Sequence, residues 1–131
     1  MGNMHAIGEA VQITSDETLT WNQIYQAIAD TLGVKLNPIY VSSSFLDACS
    51  EQDFKGGLIG DKANSVVFDN AKLKRLVPDF VATKRFDQGI RQTVKYILEH
   101  SEYQTLDKAF DEWCDRVILA TNNAIKEVKE K

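Results

Sequence analysis

The sequence predicts an α/β fold with two or three short strands and four or five helices. Three observations predict it: amphipathic helical stripes recur, short β-branched runs precede polar turns, and proline or glycine marks several element ends. The chain has 131 residues, of which 44% are hydrophobic and 26% are charged. That balance is typical of globular proteins, and the length suffices for one core. We therefore expect one domain over residues 1–120 and a polar tail over residues 121–131.

The first quarter of the chain predicts a strand followed by a helix. Residues 10–13 place two apolar side chains on one face, as a short strand does. Thr20 and Gln23 have the spacing of a capping box, in which the two residues bond reciprocally at a helix start. Gly33 suits the left-handed conformation that often ends a helix. Between them an apolar stripe recurs at helical spacing, formed by Trp21, Ile24, Tyr25, Ile28 and Leu32.

The next stretch predicts an edge strand, a short helix and a loop. Pro38 opens an apolar run over residues 37–41, and proline suits a strand's first residue because it cannot donate a ladder hydrogen bond. Three serines at 42–44 supply caps for a short helix over residues 45–49. Residues 50–64 predict a loop. A short helical turn near residues 54–59 is the alternative, although two glycines weaken it.

A third strand and a short helix follow. Residues 65–68 are apolar and partly β-branched, which predicts a strand. The side-chain oxygens of Asp69 and Asn70 can accept from the free N–H groups at the start of a helix over residues 71–76. Pro78 ends that helix, because the residue before a proline avoids the helical conformation.

Two longer helices complete the predicted fold. Thr83 can cap a helix over residues 84–99. A last helix covers residues 106–120. Their apolar faces are predicted to be Phe86, Ile90, Val94 and Ile97 in the first, and Phe110, Trp113, Cys114, Val117 and Ile118 in the second.

Composition limits the partners and the location. The net charge is −4 and there is no basic stripe, which argues against nucleic acid as a partner. No apolar run approaches the ~20 residues that span a bilayer, so we expect no membrane partner. No signal-like segment opens the chain, which favours a cytoplasmic location. The two cysteines, Cys49 and Cys114, lack metal-ligand spacing and are expected to be reduced, and no metal site is predicted.

The stretch Ser65–Gly89 carries a resemblance to a known family. Its strand, acidic turn, lysine-containing helix, proline break and glycine-containing helix are similar to the C-terminal lobe of NAD-dependent epimerases and dehydratases, in the extended short-chain dehydrogenase/reductase family. Gly8–Val34 resembles the strand and helix that open the same lobe. The residues that carry the resemblance in the first stretch are Asp69, Lys72, Leu76 with Pro78, and Gly89.

The resemblance implies a substrate-binding lobe that lacks the Rossmann half. The family holds NAD(P) on a glycine-rich turn and uses a tyrosine with a lysine four residues on. Neither motif is present: the run Gly56–Gly60 has the wrong spacing, and no tyrosine has that lysine. We therefore expect no catalytic and no cofactor-binding residue here. NAD(P) and an N-terminal NAD-binding domain are implied for a longer parent, and the uncovered domain face would favour self-association.

The implied partner is a small-molecule substrate, for which a nucleotide-sugar is one expectation. The substrate-binding candidates are Phe45, Asp61, Lys62 and Asn64. Phe45 would stack on a base, although aromatic side chains more often fill cores. Asp61 and Lys62 follow the glycine-rich loop, and an exposed ion pair is the simpler interpretation. Asn64 would bind a polar group or make a turn.

The diphosphate contact departs from the family. Sugar-nucleotide members often carry an arginine a few residues before the aspartate that matches Asp69, and residues 64–67 hold none. Lys62 is the replacement cation, although a lysine lacks the bidentate fork of arginine. The alternative hypothesis is a free-standing small module that binds a ligand or a protein, since the chain is long enough to form its own core.

Overall fold

The structure is a computed structural model that describes residues 4–130. Residues 4–36 and 66–99 form a first unit, and residues 37–65 and 100–130 form a second. Short 3₁₀ turns cover Met4–Ala6 and Ser101–Tyr103, and a π-helix covers Lys55–Asp61. The α-helices in the described residues are α1 (Trp21–Leu32), α2 (Ser43–Ala48), α3 (Ala71–Leu76), α4 (Phe86–Glu99) and α5 (Lys108–Lys129).

The prediction of an α/β fold was wrong, because residues 4–130 contain helices and no strand. The three predicted strands, over residues 10–13, 37–41 and 65–68, have no regular structure. β-Propensity describes how a side chain fits a sheet, and it does not supply the neighbouring strand that must pair with the backbone. Next to the first of these segments, the carbonyl of Thr14 accepts a hydrogen bond from the Asn70 side chain instead of a backbone ladder.

The first unit is built on α1, which packs against α4. The predicted capping box at Thr20 and Gln23 is confirmed, with the Thr20 N–H donating to Gln23 Oε1 at 2.8 Å. Gly33 ends α1 in the left-handed conformation, with φ 69°. Ala29 of α1 and Val94 of α4 are buried, whereas most of the predicted α1 stripe stays largely exposed. The capping signals in the sequence therefore predict the two ends of α1 correctly. The apolar stripe, in contrast, predicts more buried residues than the structure shows.

The second unit contains α2, the π-helix and α5. Ser42 caps α2 by accepting the N–H of Phe45 at 3.2 Å, as the serine run predicts. The π-helix occupies the segment predicted as a loop, and the Lys62 N–H donates to the Gly57 carbonyl five residues back. Asp107 caps α5, which has 22 residues.

The predicted end of α5 differs from the observed one, since α5 continues from Ala120 to Lys129.

Among residues 4–130, no helix combines the length and the apolar character that crossing a membrane requires.

Little apolar surface is buried in either unit. The buried hydrophobic residues in the described chain are Ala29, Leu73, Val94 and Val117. The accessible surface is 11051 Å². A folded monomer of 14.7 kDa exposes about 6,900 Å², and two separate folded units of half that mass expose about 8,400 Å² together. The accessible surface of the chain exceeds both values, whether the two units pack together or not. A large part of the apolar surface is therefore exposed to solvent.

Candidate functional site

Asn70 anchors a cleft of the first unit. It precedes α3 and is the buried polar residue of the described chain. Its Nδ2 donates to the Thr14 carbonyl at 3.1 Å and to Asp16 Oδ1 at 2.8 Å. A buried amide without partners would be costly, so these two bonds fix the loop before α1 against the start of α3. The sequence predicts Asn70 only as a helix cap, and Asp69 takes that role by accepting the Ala71 N–H at 2.8 Å.

Asp16 connects the same loop to the lysine side of α3. Lys74 Nζ lies 2.6 Å from Asp16 Oδ1. The hydrogen bond from Lys74, followed by that from Asn70, holds the pKa of Asp16 below its ordinary value. The carboxylate therefore stays charged at neutral pH. A second lysine of α3, Lys72, pairs with Glu9 upstream of the loop, so α3 holds residues 9–16 at two points.

Glu17 attaches the loop to the first turn of α4. Its Oε2 accepts the backbone N–H of Phe86 at 2.7 Å, and Arg85 lies 3.7 Å from Oε1. The first N–H groups of a helix have no partner within the helix, and the helix dipole favours a negative charge there. Glu17, distant in sequence, thus serves the N-terminus of α4, a role that the sequence assigns to Thr83.

These contacts enclose a cleft of about 390 Å³. One wall is residues 14–19, and the other is residues 66–70. The charged side chains in the lining are the carboxylates of Asp16, Glu17 and Asp69, and neither lysine nor arginine contributes. Lys74 and Arg85 already pair with Asp16 and Glu17, so the negative charge of this lining is partly neutralised. The remaining lone pairs of the carboxylates can accept hydrogen bonds from hydroxyl groups, and the lining itself offers phosphate no lysine or arginine.

The second unit has a smaller cleft beside an aromatic stack. Trp113 of α5 stacks on both Phe54 and Phe110, with 5.6 Å between the ring centroids in each pair. Its Nε1 donates to the carbonyl of Cys49 at 3.0 Å, which fastens α5 to the end of α2. The adjoining cleft has a volume of about 220 Å³ and is lined by Phe45, Cys49, Trp113, Arg116, Val117 and Ala120.

The thiol of Cys114 is a poor nucleophile. Its burial, followed by the negative charges of Asp111 and Asp115, raises the pKa above the ordinary value. The thiolate is the reactive form of cysteine, so little of the side chain is reactive at neutral pH. Among residues 4–130, no group of three or more histidine, cysteine or acidic side chains is arranged to hold a metal ion.

The residues that the sequence predicts for substrate binding all belong to the second unit. Phe45 lines the smaller cleft and is partly exposed. Asp61 and Lys62 form an ion pair of 3.2 Å at the surface, which is the simpler of the two interpretations. Asn64 is exposed in a bend, and neither cleft is lined by Asp61, Lys62 or Asn64. The structure therefore does not gather the four candidates into one site.

The cleft of the first unit uses residues that the sequence analysis treats as turns and caps. Thr14, Asp16, Glu17 and Asn70 are the ones it missed as site residues. One signal was present: two short apolar runs, over residues 10–13 and 65–68, are each followed by a polar cluster with an acidic residue. Their mutual contact is not readable from either run alone, because 56 residues separate Asn70 from Thr14.

Comparison of the chain with models of known protein families, with curated proteins and with solved structures finds no match.

Proposed function

We propose that this chain is the substrate-binding lobe of an NAD-dependent epimerase or dehydratase. One observation carries the proposal. The two stretches that resemble that family, Gly8–Val34 and Ser65–Gly89, provide the two walls of a single cleft. The two stretches share the order of a short apolar run, an acidic turn and a helix, and their turns meet in this cleft. In this proposal the cleft receives the substrate, and a dinucleotide-binding domain outside these residues supplies NAD(P). We further propose a cytoplasmic location, because no apolar run in the sequence approaches the length that spans a bilayer.

The lining favours the sugar part of a nucleotide-sugar over its diphosphate. Carboxylates accept hydrogen bonds from sugar hydroxyls, whereas they repel phosphate. Phe68, which is exposed in the cleft wall, offers a ring for the apolar face of a sugar. The absence of arginine from residues 64–67 supports the same division. The diphosphate contact would then come from outside this cleft.

Calorimetric titration with NAD tests whether this chain lacks the NAD site and a separate domain supplies it. We expect no binding to this chain and binding to the product of the complete reading frame. NAD binding by this chain alone would contradict the proposal. Failure of the complete product to bind NAD, or a reading frame without a glycine-rich βαβ half, would favour the free-standing module.

A matched set of cleft variants tests the substrate role in the complete product, with UDP-glucose and UDP as probes. Asp69→Asn keeps a cap of equal quality and removes one carboxylate. Phe68→Ala removes the ring, and Val81→Ala is the control, because Val81 is an exposed residue of the same unit outside the cleft. We expect Asp69→Asn and Phe68→Ala to weaken UDP-glucose binding by roughly fivefold or more and UDP binding by less than twofold. Equal losses for both probes would contradict a sugar-binding cleft.

A free-standing interaction module is the second candidate, and the uncovered apolar surface favours it. An accessible surface well above that of folded units of this mass is typical of chains that bind another protein. In this candidate the cleft would be incidental and the apolar helix faces would be functional. The cleft variants distinguish the two candidates. If the chain is an interaction module, Asp69→Asn and Phe68→Ala should leave the binding of its protein partner unchanged.

A further inference from the structure

Helix α5 carries an apolar row that differs from the one used inside its unit. The row, here called the α5 seam, alternates steps of four and three residues, which is the heptad spacing of coiled coils. Its last positions lie in the extension of α5 beyond Ala120. The members of the seam are Cys114, Ile118, Thr121, Ile125 and Val128.

The α5 seam is exposed along most of its length. Trp113 and Val117 line the small cleft on the neighbouring face of α5, toward α2. By contrast, Ile118 is 38%, Ile125 48% and Val128 77% exposed. Thr121 donates its hydroxyl to the Val117 carbonyl at 2.8 Å, so its polar atom is satisfied within the helix. The seam can therefore be covered without leaving a polar group unpaired.

The charges beside the seam specify what can cover it. Asp115, Asn122 and Lys129 lie seven residues apart, in the same heptad position on one flank, and the first and last are opposite in charge. When two copies of such a helix pair antiparallel, each flank faces the same flank of the other copy. Asp115 of one copy then faces Lys129 of the other, twice by symmetry, and Asn122 faces itself.

A parallel arrangement lacks this complementarity. The flank of Asp115 and Lys129 would face the opposite flank, which holds Val117 and Ala124. No ion pair would form, and flanking charges are the feature that sets orientation in paired helices. The sequence of α5 is thus complementary to itself in the antiparallel direction only.

We propose that α5 pairs antiparallel with α5 of a second copy of this chain, along the α5 seam. In the symmetric register Ile118 packs on Val128 of the second copy, and Thr121 packs on Ile125, while Cys114 lies outside the paired part of the seam. The interface is of the twofold kind in which the same surface is used by both subunits. The seam spans two heptads, fewer than the about three to four that identify a coiled coil from sequence alone, so the pair forms reversibly with concentration.

Sedimentation equilibrium over a wide concentration range tests the pairing. The wild-type chain is expected to pass from monomer to dimer. Ile125→Asp should raise the dissociation constant about tenfold or more, because it puts a charge into the seam. Leu119→Asp is the matched control, since Leu119 is 60% exposed on α5 outside the seam, and it should change the constant by less than about twofold. A wild-type chain that stays monomeric, or equal effects of the two variants, overturns the proposal.

Charge exchange tests the direction. Asp115→Lys and Lys129→Asp, each alone, should weaken the dimer roughly fivefold, because each creates two like-charge contacts. The double variant should return to within about twofold of the wild type, and added salt should reduce all three differences. A double variant as weak as the single ones overturns the antiparallel pairing. Far-UV circular dichroism checks that α5 remains helical. If Ile125→Asp reduces the helix content, the charge-exchange variants alone test the pairing. Their double variant keeps the amino-acid composition of α5.

Discussion

Both units of the chain bury little apolar surface, and different contacts hold each of them together. In the first unit, polar contacts between residues far apart in sequence fix the loop before α1 to α3 and α4. In the second, one tryptophan stacks on two aromatic rings and fastens α5 through a long-range side-chain hydrogen bond. The first arrangement produces a shaped, charged cleft, while the second leaves a long helix with an open face. The difference explains why the substrate and the partner proposals fall in separate units.

The largest expected effect comes from the aromatic stack. Trp113→Ala should lower the stability of the second unit by about 2–3 kcal/mol, because it removes two ring contacts and the hydrogen bond to the Cys49 carbonyl. Native-state hydrogen exchange of α2 and α5 amides would measure this loss.

The matched control for this change is Trp21→Ala, since Trp21 is 63% exposed in the first unit. Trp21→Ala should lower the stability of its unit by well under half of the loss expected for Trp113→Ala. If Trp113→Ala reduced the protection of α1 and α4 amides by the same amount as that of α5, the two units would unfold as one cooperative structure and not as separately stabilised units.

A smaller effect is expected from the polar anchor of the first unit. Asn70→Ala should cost about 1–2 kcal/mol in the protection of α1 and α3 amides, because it removes two hydrogen bonds and leaves the Thr14 carbonyl without that donor. Asn64→Ala is the control, because Asn64 is exposed. A loss of protection no larger than that of the control would mean that the cleft walls are held by other contacts.

The sequence predicts what is local and fails where structure depends on distant partners. Thr20 with Gln23, Gly33 and the break before Pro78 define helix ends through contacts within a few residues, and the helices end there. The three strands failed because a strand needs a partner segment, which β-branched residues do not provide. The roles of Asn70 and Glu17 were missed for the same reason, since their partners lie 56 and 69 residues away.

The extension of α5 shows a second kind of failure. Thr121, Asn122 and Asn123 look like the polar end of a helix, and they predict that the helix ends at Ala120. Ile125 and Val128 continue the heptad spacing beyond them, however, and α5 continues to Lys129. Asparagine and threonine have only modest penalties inside helices, so a short polar stretch does not end one. An unbroken heptad was the better guide to length, and it also defines the α5 seam.

The smallest expected effect concerns acid. Lys74 and Asn70 lower the pKa of Asp16 in the folded state relative to the unfolded chain. A carboxyl group with a depressed folded pKa contributes its stability above the unfolded pKa of about 4, and that contribution is lost as the pH falls through the folded pKa. The first unit should therefore lose stability below about pH 4.

Asp16→Asn should make this acid dependence shallower, because the amide cannot titrate, while Asp47→Asn in the second unit should leave it unchanged. Urea unfolding followed at α1 amides between pH 3 and 6 would measure the difference. The hydrogen bond with Lys72 also lowers the pKa of Glu9. Burial raises the pKa of Asp87, but Arg85 and Arg91 together outweigh it and lower that pKa, so part of the acid dependence should remain in Asp16→Asn. An unchanged slope in Asp16→Asn would mean that the loop keeps its place without the charge of Asp16, and that the contacts of Glu9, Glu17 and Asn70 hold the cleft together.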